Sequence, residues 1–128
     1  MIVKLRNCIK TIIFLSDIFM NFKGVFFNLT DLPEAAQTPG AARDNLLLRV
    51  IGSPDPYGKQ TDGMGGATSS TSKTVILSKS TQHDHDVDYL FGQVSIDKAF
   101  VDWSGNCGNL TAAVGSFLTN LQRCTKSL

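Results

Sequence analysis

A chain of 128 residues with 42% apolar and 18% charged side chains is long enough for one domain with a real core and too short for two ordinary ones. Its formal net charge of +1 gives no electrostatic basis for binding nucleic acid or an acidic membrane, so any anion recognition must be local, made by loops and helix ends. Three cysteines, Cys8, Cys107 and Cys124, form no CxxC and no metal-ligand spacing, which argues against a secreted disulfide scaffold and for reduced thiols in the cytoplasm.

Residues 1–22 are apolar and basic and carry no turn signal. Lys4, Arg6 and Lys10 precede Ile12-Ile13-Phe14-Leu15, a faint likeness to an export signal. That run stops at Ser16 and Asp17 without a small-residue cleavage site, and it falls far short of the roughly 20 apolar residues of a membrane span. Gly24 to Leu29 predicts a strand, ended by Asp31-Leu32-Pro33, and Pro39-Gly40 is a breaker. From Ala41 to Ile51 the apolar residues Leu46, Leu47, Val50 and Ile51 have helical spacing, and Gly52 and Pro54 supply the stop. Ser53 to Gly66 is a loop rich in Pro, Gly and Asp.

Thr74 to Ser78 predicts a short strand and Val87 to Ile96 a longer one, with Tyr89, Phe91 and Gln93 on one face and Leu90, Gly92 and Val94 on the other. Gln82 to Asp86 joins them as a hairpin connection. Phe100 to Trp103 is a further short strand, and Leu110 to Leu121 a helix with Leu110, Val114, Phe117, Leu118 and Leu121 along one stripe. This order predicts an α+β lobe with a mixed or antiparallel sheet. The sequons Asn28-Leu29-Thr30 and Asn109-Leu110-Thr111 read as chance matches in a chain with no other sign of secretion.

Two residues carry the chemistry. Lys73 closes the stretch Gly63-Met64-Gly65-Gly66-Ala67-Thr68-Ser69-Ser70-Thr71-Ser72 and opens an apolar run, on the same face as Val75 and Leu77. As a base it would need a pKa lowered by desolvation or a neighbouring cation; residue type alone favours a snorkelling surface lysine at a strand edge. Cys107 lies between Gly105 and Gly108 at the head of the last helix, where dipole and amides favour a thiolate and the amides of Asn106 to Leu110 can take a carboxylate. The competing reading is a buried, inert cysteine capping a turn. An amine and a thiol beside glycine-rich backbone point to proton transfer on an acidic substrate, with Gly65, Gly66, Ser69, Ser72, Asn106, Gly108 and Asn109 as substrate-binding candidates. Gly58-Lys59-Gln60 and Ser72-Lys73-Thr74 lack the spacing of a phosphate loop. His83-Asp84-His85-Asp86 lacks a third strong ligand, so no metal is expected there.

Several long stretches carry a family resemblance: Asp31-Leu32-Pro33-Glu34-Ala35-Ala36, Leu46 to Tyr57, Gly63 to Lys73, Asp86 to Val94 and Trp103 to Gly115. From Gly24 to about Phe117 the chain resembles the 2-methylaconitate cis–trans isomerase family, accessory to the iron–sulfur methylcitrate dehydratase. The resemblance implies a diaminopimelate-epimerase-like fold whose two lobes each wrap a sheet around a central helix, of which this chain holds one, incomplete. It also implies a cofactor-free trans-to-cis proton shift in a small-molecule tricarboxylate of propionate catabolism, the 2-methylcitrate cycle, in the cytoplasm. Lys73 and Cys107 fall on the positions taken to line the family's site, Lys73 being the favoured acid/base. A homo-oligomer, or a functional link to the dehydratase, is the implied association. Tautomerisation of 4-oxalomesaconate and isomerisation of methylitaconate are the related activities.

The chain also departs from that pattern. Where the family carries an Arg-Gly-Gly-Thr-Ser-Lys-Gly loop, Ile18-Phe19-Met20-Asn21-Phe22-Lys23-Gly24 stands here, and beyond Phe117 the likeness ends. The expected organisation is therefore an atypical segment 1–22, an isomerase-like lobe 23–117 and an atypical tail 118–128. Such a chain reads as truncated, with low or no activity, or as an inactive gene fragment or non-catalytic binding lobe.

Overall fold

Val25-Phe26-Phe27 and Val75-Ile76-Leu77 are unbroken apolar runs, the signature of strands covered on both faces, and they form the middle of the sheet. The computed structural model describes residues 23–119 and the backbone of two earlier strands, β1 (Ile2–Val3) and β2 (Ile12–Ser16). The other strands are β3 (Lys23–Asn28), β4 (Lys73–Lys79), β5 (Val87–Val94) and β6 (Val101–Asp102), and the six lie in sequence order across one sheet. β3 and β4 pair in parallel, with Val25 opposite Thr74 and Phe27 opposite Ile76; every other pair is antiparallel. The sheet is thus mixed, as expected. β1 and β2 fall within 1–22, where no element is expected from sequence: the β-branched, apolar Ile12-Ile13-Phe14-Leu15 run extends the sheet beside β3 instead of ending as an isolated segment.

The parallel pair needs a crossover. It runs through a 3₁₀ turn at Leu29–Asp31, a single helical turn α1 (Glu34–Gln37) and α2 (Ala41–Ile51). Gly52 ends α2 in the left-handed region, φ 89°, and its amide returns to the Leu48 carbonyl, the expected glycine stop. Arg43 is buried and donates to the carbonyls of Ala36 and Gln37, fastening α1 to α2; burial pushes its guanidinium pKa down.

Alternation sorts the core onto two faces. Val25, Phe27, Ile76, Val94 and Val101 meet Leu47, Leu48 and Ile51 of α2 on one. Phe26, Val75, Leu77 and Phe91 meet Cys107, Leu110 and Phe117 on the other. The last helix is shorter than its apolar stripe predicts: α3 spans Gly108–Ala112, a turn follows at Ala113, and helical backbone resumes at 114–119. Leu110 and Phe117 are buried, with Val114 and Leu118 packed beside them, while Leu121 lies outside the described residues. Phe117 is fully buried with its ring 5.5 Å from that of Phe26, the contact that seats this segment. Among the described residues no helix is long and apolar enough to cross a membrane.

Candidate active site

The support of the site is a loop whose hydrogen bonds turn inward. The Asp55 carboxylate accepts the amides of Tyr57, Lys59 and Gln60 at 2.9, 3.0 and 2.7 Å, and these bonds, Tyr57's foremost, hold its pKa below the usual carboxylate range. The turn carries Gln60 into the left-handed region, φ 50°, and buries its side chain to 1% exposure. There Nε2 donates to the hydroxyls of Ser53 and Ser72 at 2.9 and 2.8 Å, and Oε1 accepts the Ala67 amide at 2.8 Å. Ser72 passes its own proton to the Val94 carbonyl at 2.8 Å. Gln93 donates to the carbonyls of Ser72 and Ser69 at 2.8 and 3.1 Å, and the Lys23 amide donates to Ser70 O at 3.1 Å. The strand that begins at Lys73 therefore starts from backbone held on three sides. Gly65 fits because a Cβ there would lie 2.1 Å from Gln60 Oε1.

Cys107 is set by a second turn. The Asp102 carboxylate accepts Ser104 Oγ at 2.6 Å and Ser104 N at 2.9 Å, which lowers its pKa, the hydroxyl contributing most. Asn106 Oδ1 accepts the Cys107 amide at 2.7 Å. The Cys107 carbonyl in turn accepts the amide and hydroxyl of Thr111, both at 3.1 Å, and the Tyr89 hydroxyl at 3.3 Å. Burial pushes the Tyr89 phenol pKa up.

The two turns converge on one contact. Lys73 Nζ donates to Cys107 Sγ at 3.5 Å and stands 5.6 Å from the centroid of the Phe91 ring. Lys73 and Cys107 are each only 7% exposed. This overturns the surface-lysine reading: Lys73 shares its face with Val75 and Leu77 as expected, but that face is covered by 107–117 and not by water. Cys107 is buried, yet it faces an amine. Among the described residues it is a free thiol; Cys8 and Cys124 lie outside them.

The remaining candidates divide. Gly66 and Ser69 are exposed and Gly65 half-buried on the loop leading to Lys73; Asn106 and Gly108 are exposed and Asn109 half-buried beside Cys107. Ser72 is fully buried and spends its hydroxyl on Gln60 and Val94, so it supports Lys73 from below. Asn106 is committed in part to the Cys107 amide. The helix after Cys107 has five residues and no side-chain cap, so its contribution near Gly108 is that of individual amides more than of a long dipole. His83, Asp84 and His85 are exposed between β4 and β5, and no group of three potential metal ligands occurs among the described residues. Ile18 to Phe22, in the altered loop, lie outside them.

Sequence reading missed Gln60, Tyr89 and Phe91 as site residues. Gln60 has no signal, being one polar residue in a polar loop. Phe91 and Tyr89 were legible as a strand face, but only the β4–β5 register, Lys73 opposite Gln93 and Val75 opposite Phe91, brings that face to Lys73.

Comparison with known proteins supplies the remaining observations. The PrpF protein family model matches residues 20–122. The chain is 85% identical over 95 residues to 2-methyl-aconitate isomerase of Shewanella oneidensis, covering 74% of this chain and 24% of that protein. It is 53% identical over 95 residues to 4-oxalomesaconate tautomerase of Pseudomonas putida, again 74% of this chain and 25% of that one. A solved structure described as methylitaconate-delta-isomerase superposes with a TM-score of 0.67 at 48% identity, over 76% of this chain and 24% of its own. The chain spans about a quarter of the length of the relatives it matches.

Proposed function

The chain belongs to the PrpF protein family, and from that premise we propose that it forms one wall of a cofactor-independent isomerase site that moves a proton in an unsaturated tricarboxylate. The favoured substrate is 2-methylaconitate, taken from trans to cis in propionate catabolism through the 2-methylcitrate cycle. The observation that carries this reading is the 3.5 Å contact between Lys73 Nζ and Cys107 Sγ, two proton-transfer groups side by side and shielded from water. An allylic shift needs a base to take a proton from carbon beside a conjugated carboxylate and an acid to return one elsewhere on the π system. Lys73 is the favoured acid/base and Cys107 the second. The enolate-like state calls for fixed positive partial charge. The backbone at Gly66, Gly108 and Asn109, with Ser69 and Asn106, is the candidate source. A ligand can approach closely at Gly108, where a Cβ would meet nothing within 4 Å, while Gly65, its amide already given to Ile51 O, shapes the loop.

In this reading 23–117 is the isomerase-like lobe of a diaminopimelate-epimerase-like fold, and the segment seated by Phe117 is the helix its sheet wraps. Residues 1–22 and 118–128 are the atypical flanks. A cytoplasmic setting suits a working thiol, and a homo-oligomer or a link to methylcitrate dehydratase is the association to seek. One wall is a weak catalyst, because positioning supplies roughly 7–11 kcal/mol of barrier lowering. The identities to the tautomerase and to the methylitaconate isomerase structure favour, as a second reading, the same proton shift on one of those substrates.

Proton NMR of the purified chain in D₂O with 2-methyl-trans-aconitate, and in parallel with the other two substrates, tests this. Slow exchange of substrate protons is expected, lost in Lys73→Ala and in Lys73→Arg, since a guanidinium keeps the charge but is no base near neutral pH. Exchange undiminished in Lys73→Ala moves the assignment to Cys107. No exchange with any of the three would leave a non-catalytic lobe.

A further inference from the structure

We propose that Lys73 and Cys107 form a built-in oxidative crosslink: a hydroperoxide oxidises Cys107, and Lys73 Nζ then closes an S–N bond that thiols reopen. The inference rests on geometry and is independent of which substrate the site takes. Nζ and Sγ stand at hydrogen-bond separation, 3.5 Å, with both residues 7% exposed. The Phe91 ring closes one side of the amine. The backbone beneath both partners is held: Lys73 follows a residue tied to Gln60, Gln93 and Val94, and the Cys107 carbonyl accepts from Thr111 and Tyr89.

The chemistry balances without another reactant. The Cys107 sulfur attacks one oxygen of hydrogen peroxide, the O–O bond breaks, and the thiol proton leaves with the departing hydroxide as one water, sulfur being oxidised by two electrons to the sulfenic acid. Sulfenic acids condense with nearby nucleophiles, a thiol or a backbone nitrogen among the known partners. Here the nucleophile already in contact is an amine. Its lone pair attacks sulfur, the S–O bond breaks, and the hydroxyl leaves as a second water with one amine proton. The product lacks two hydrogens relative to the reduced pair. Holding the partners in place makes closure effectively unimolecular, ahead of a second peroxide that would carry the sulfur on to the irreversible sulfinic acid. The link withdraws base and thiol together, and reduction restores both.

The test treats the whole chain with hydrogen peroxide, blocks remaining thiols, digests without reliance on cleavage at Lys73 and maps the peptides by mass spectrometry. The expected result is a linked pair joining Lys73 to Cys107, lighter by two hydrogens than its two peptides, and abolished by dithiothreitol. In Lys73→Arg the linked pair should vanish and Cys107 sulfinic acid accumulate. Should that variant fail to fold, dimedone added with the peroxide to the unaltered chain should replace the link with a Cys107 adduct. Sulfinic acid at Cys107 with Lys73 unmodified, or a disulfide from Cys107 to Cys8 or Cys124 as the main product, overturns the proposal.

Discussion

Removing the Gln60 side chain should cost far more than is usual for a polar loop residue. In Gln60→Ala two donated bonds, to Ser53 and Ser72, and one accepted bond, from Ala67, disappear. Each neutral bond contributes about 0.5–1.5 kcal/mol net. Ser72 keeps its bond to Val94, and Ala67 is half-buried, so water can recover part of the Ala67 loss. The left-handed backbone, φ 50°, is no easier for alanine. The sum is about 2–4 kcal/mol, a large share of the stability of a small domain. Urea unfolding followed by fluorescence of the single tryptophan, Trp103, reports it; Trp103 Nε1 donates to Asp44 of α2 at 3.0 Å, so it reads the fold and not the loop. With a slope of about 1–3 kcal/mol per molar urea, the midpoint should fall by roughly 0.7–4 M at unchanged slope. Ser72→Ala, which removes one partner of the same network, should give about half the effect. A loss under about 0.5 kcal/mol for Gln60→Ala would refute the reasoning, because it would mean that the loop is not what holds the start of β4.

Phe117→Ala should cost about 3–5 kcal/mol and speed alkylation of Cys107, because the ring packed on Phe26 keeps 108–119 over the thiol; unchanged alkylation would count against that cover. Gly63→Ala should be severely destabilising in the same urea assay, since its Cβ would fall 2.2 Å from Gly52 N and 2.3 Å from Ile51 C, whereas Gly108→Ala, with nothing within 4 Å, should be near neutral. The bonds that lower the Asp55 and Asp102 pKa values contribute stability that is complete above the unfolded carboxylate pKa and is lost as pH falls through the folded value. Asp102→Asn should therefore flatten the acid limb of a stability-versus-pH curve, and an unaltered limb would exclude Asp102 as a contributor.

The parts of this molecule legible in its sequence are those set by local pattern. Leu46-Leu47 and Val50-Ile51 with Gly52 give α2 to the residue, and the alternation from Val87 gives β5. Its end was overrun by two residues because Ser95 turns back to the Phe100 carbonyl, a contact no periodicity contains. The break at Ala113 was likewise invisible, since the Leu110, Val114, Phe117 stripe fits a continuous helix. Lys73 and Cys107 stood out for their glycine-rich neighbours, but burial of Lys73 depends on what covers its face. That covering segment starts 34 residues later, at Cys107.

The parallel pairing of β3 with β4 also dictates when the reactive pair can exist. β4 and β5 are joined by a short turn and can zip locally, whereas β3 must wait for the whole crossover through α2 before it meets β4; such non-local pairings form slowly. Cys107 arrives later still, because it docks only onto a face that Phe26 of β3 has completed. During synthesis, which proceeds from the N-terminus, the lysine therefore spends its early life beside an open apolar surface that Cys107 has yet to reach. Access of a bulky alkylating reagent to Cys107 is consequently a clock for maturation: a thiol open to it marks a chain still assembling, and one buried beneath 108–119 marks a chain that has finished.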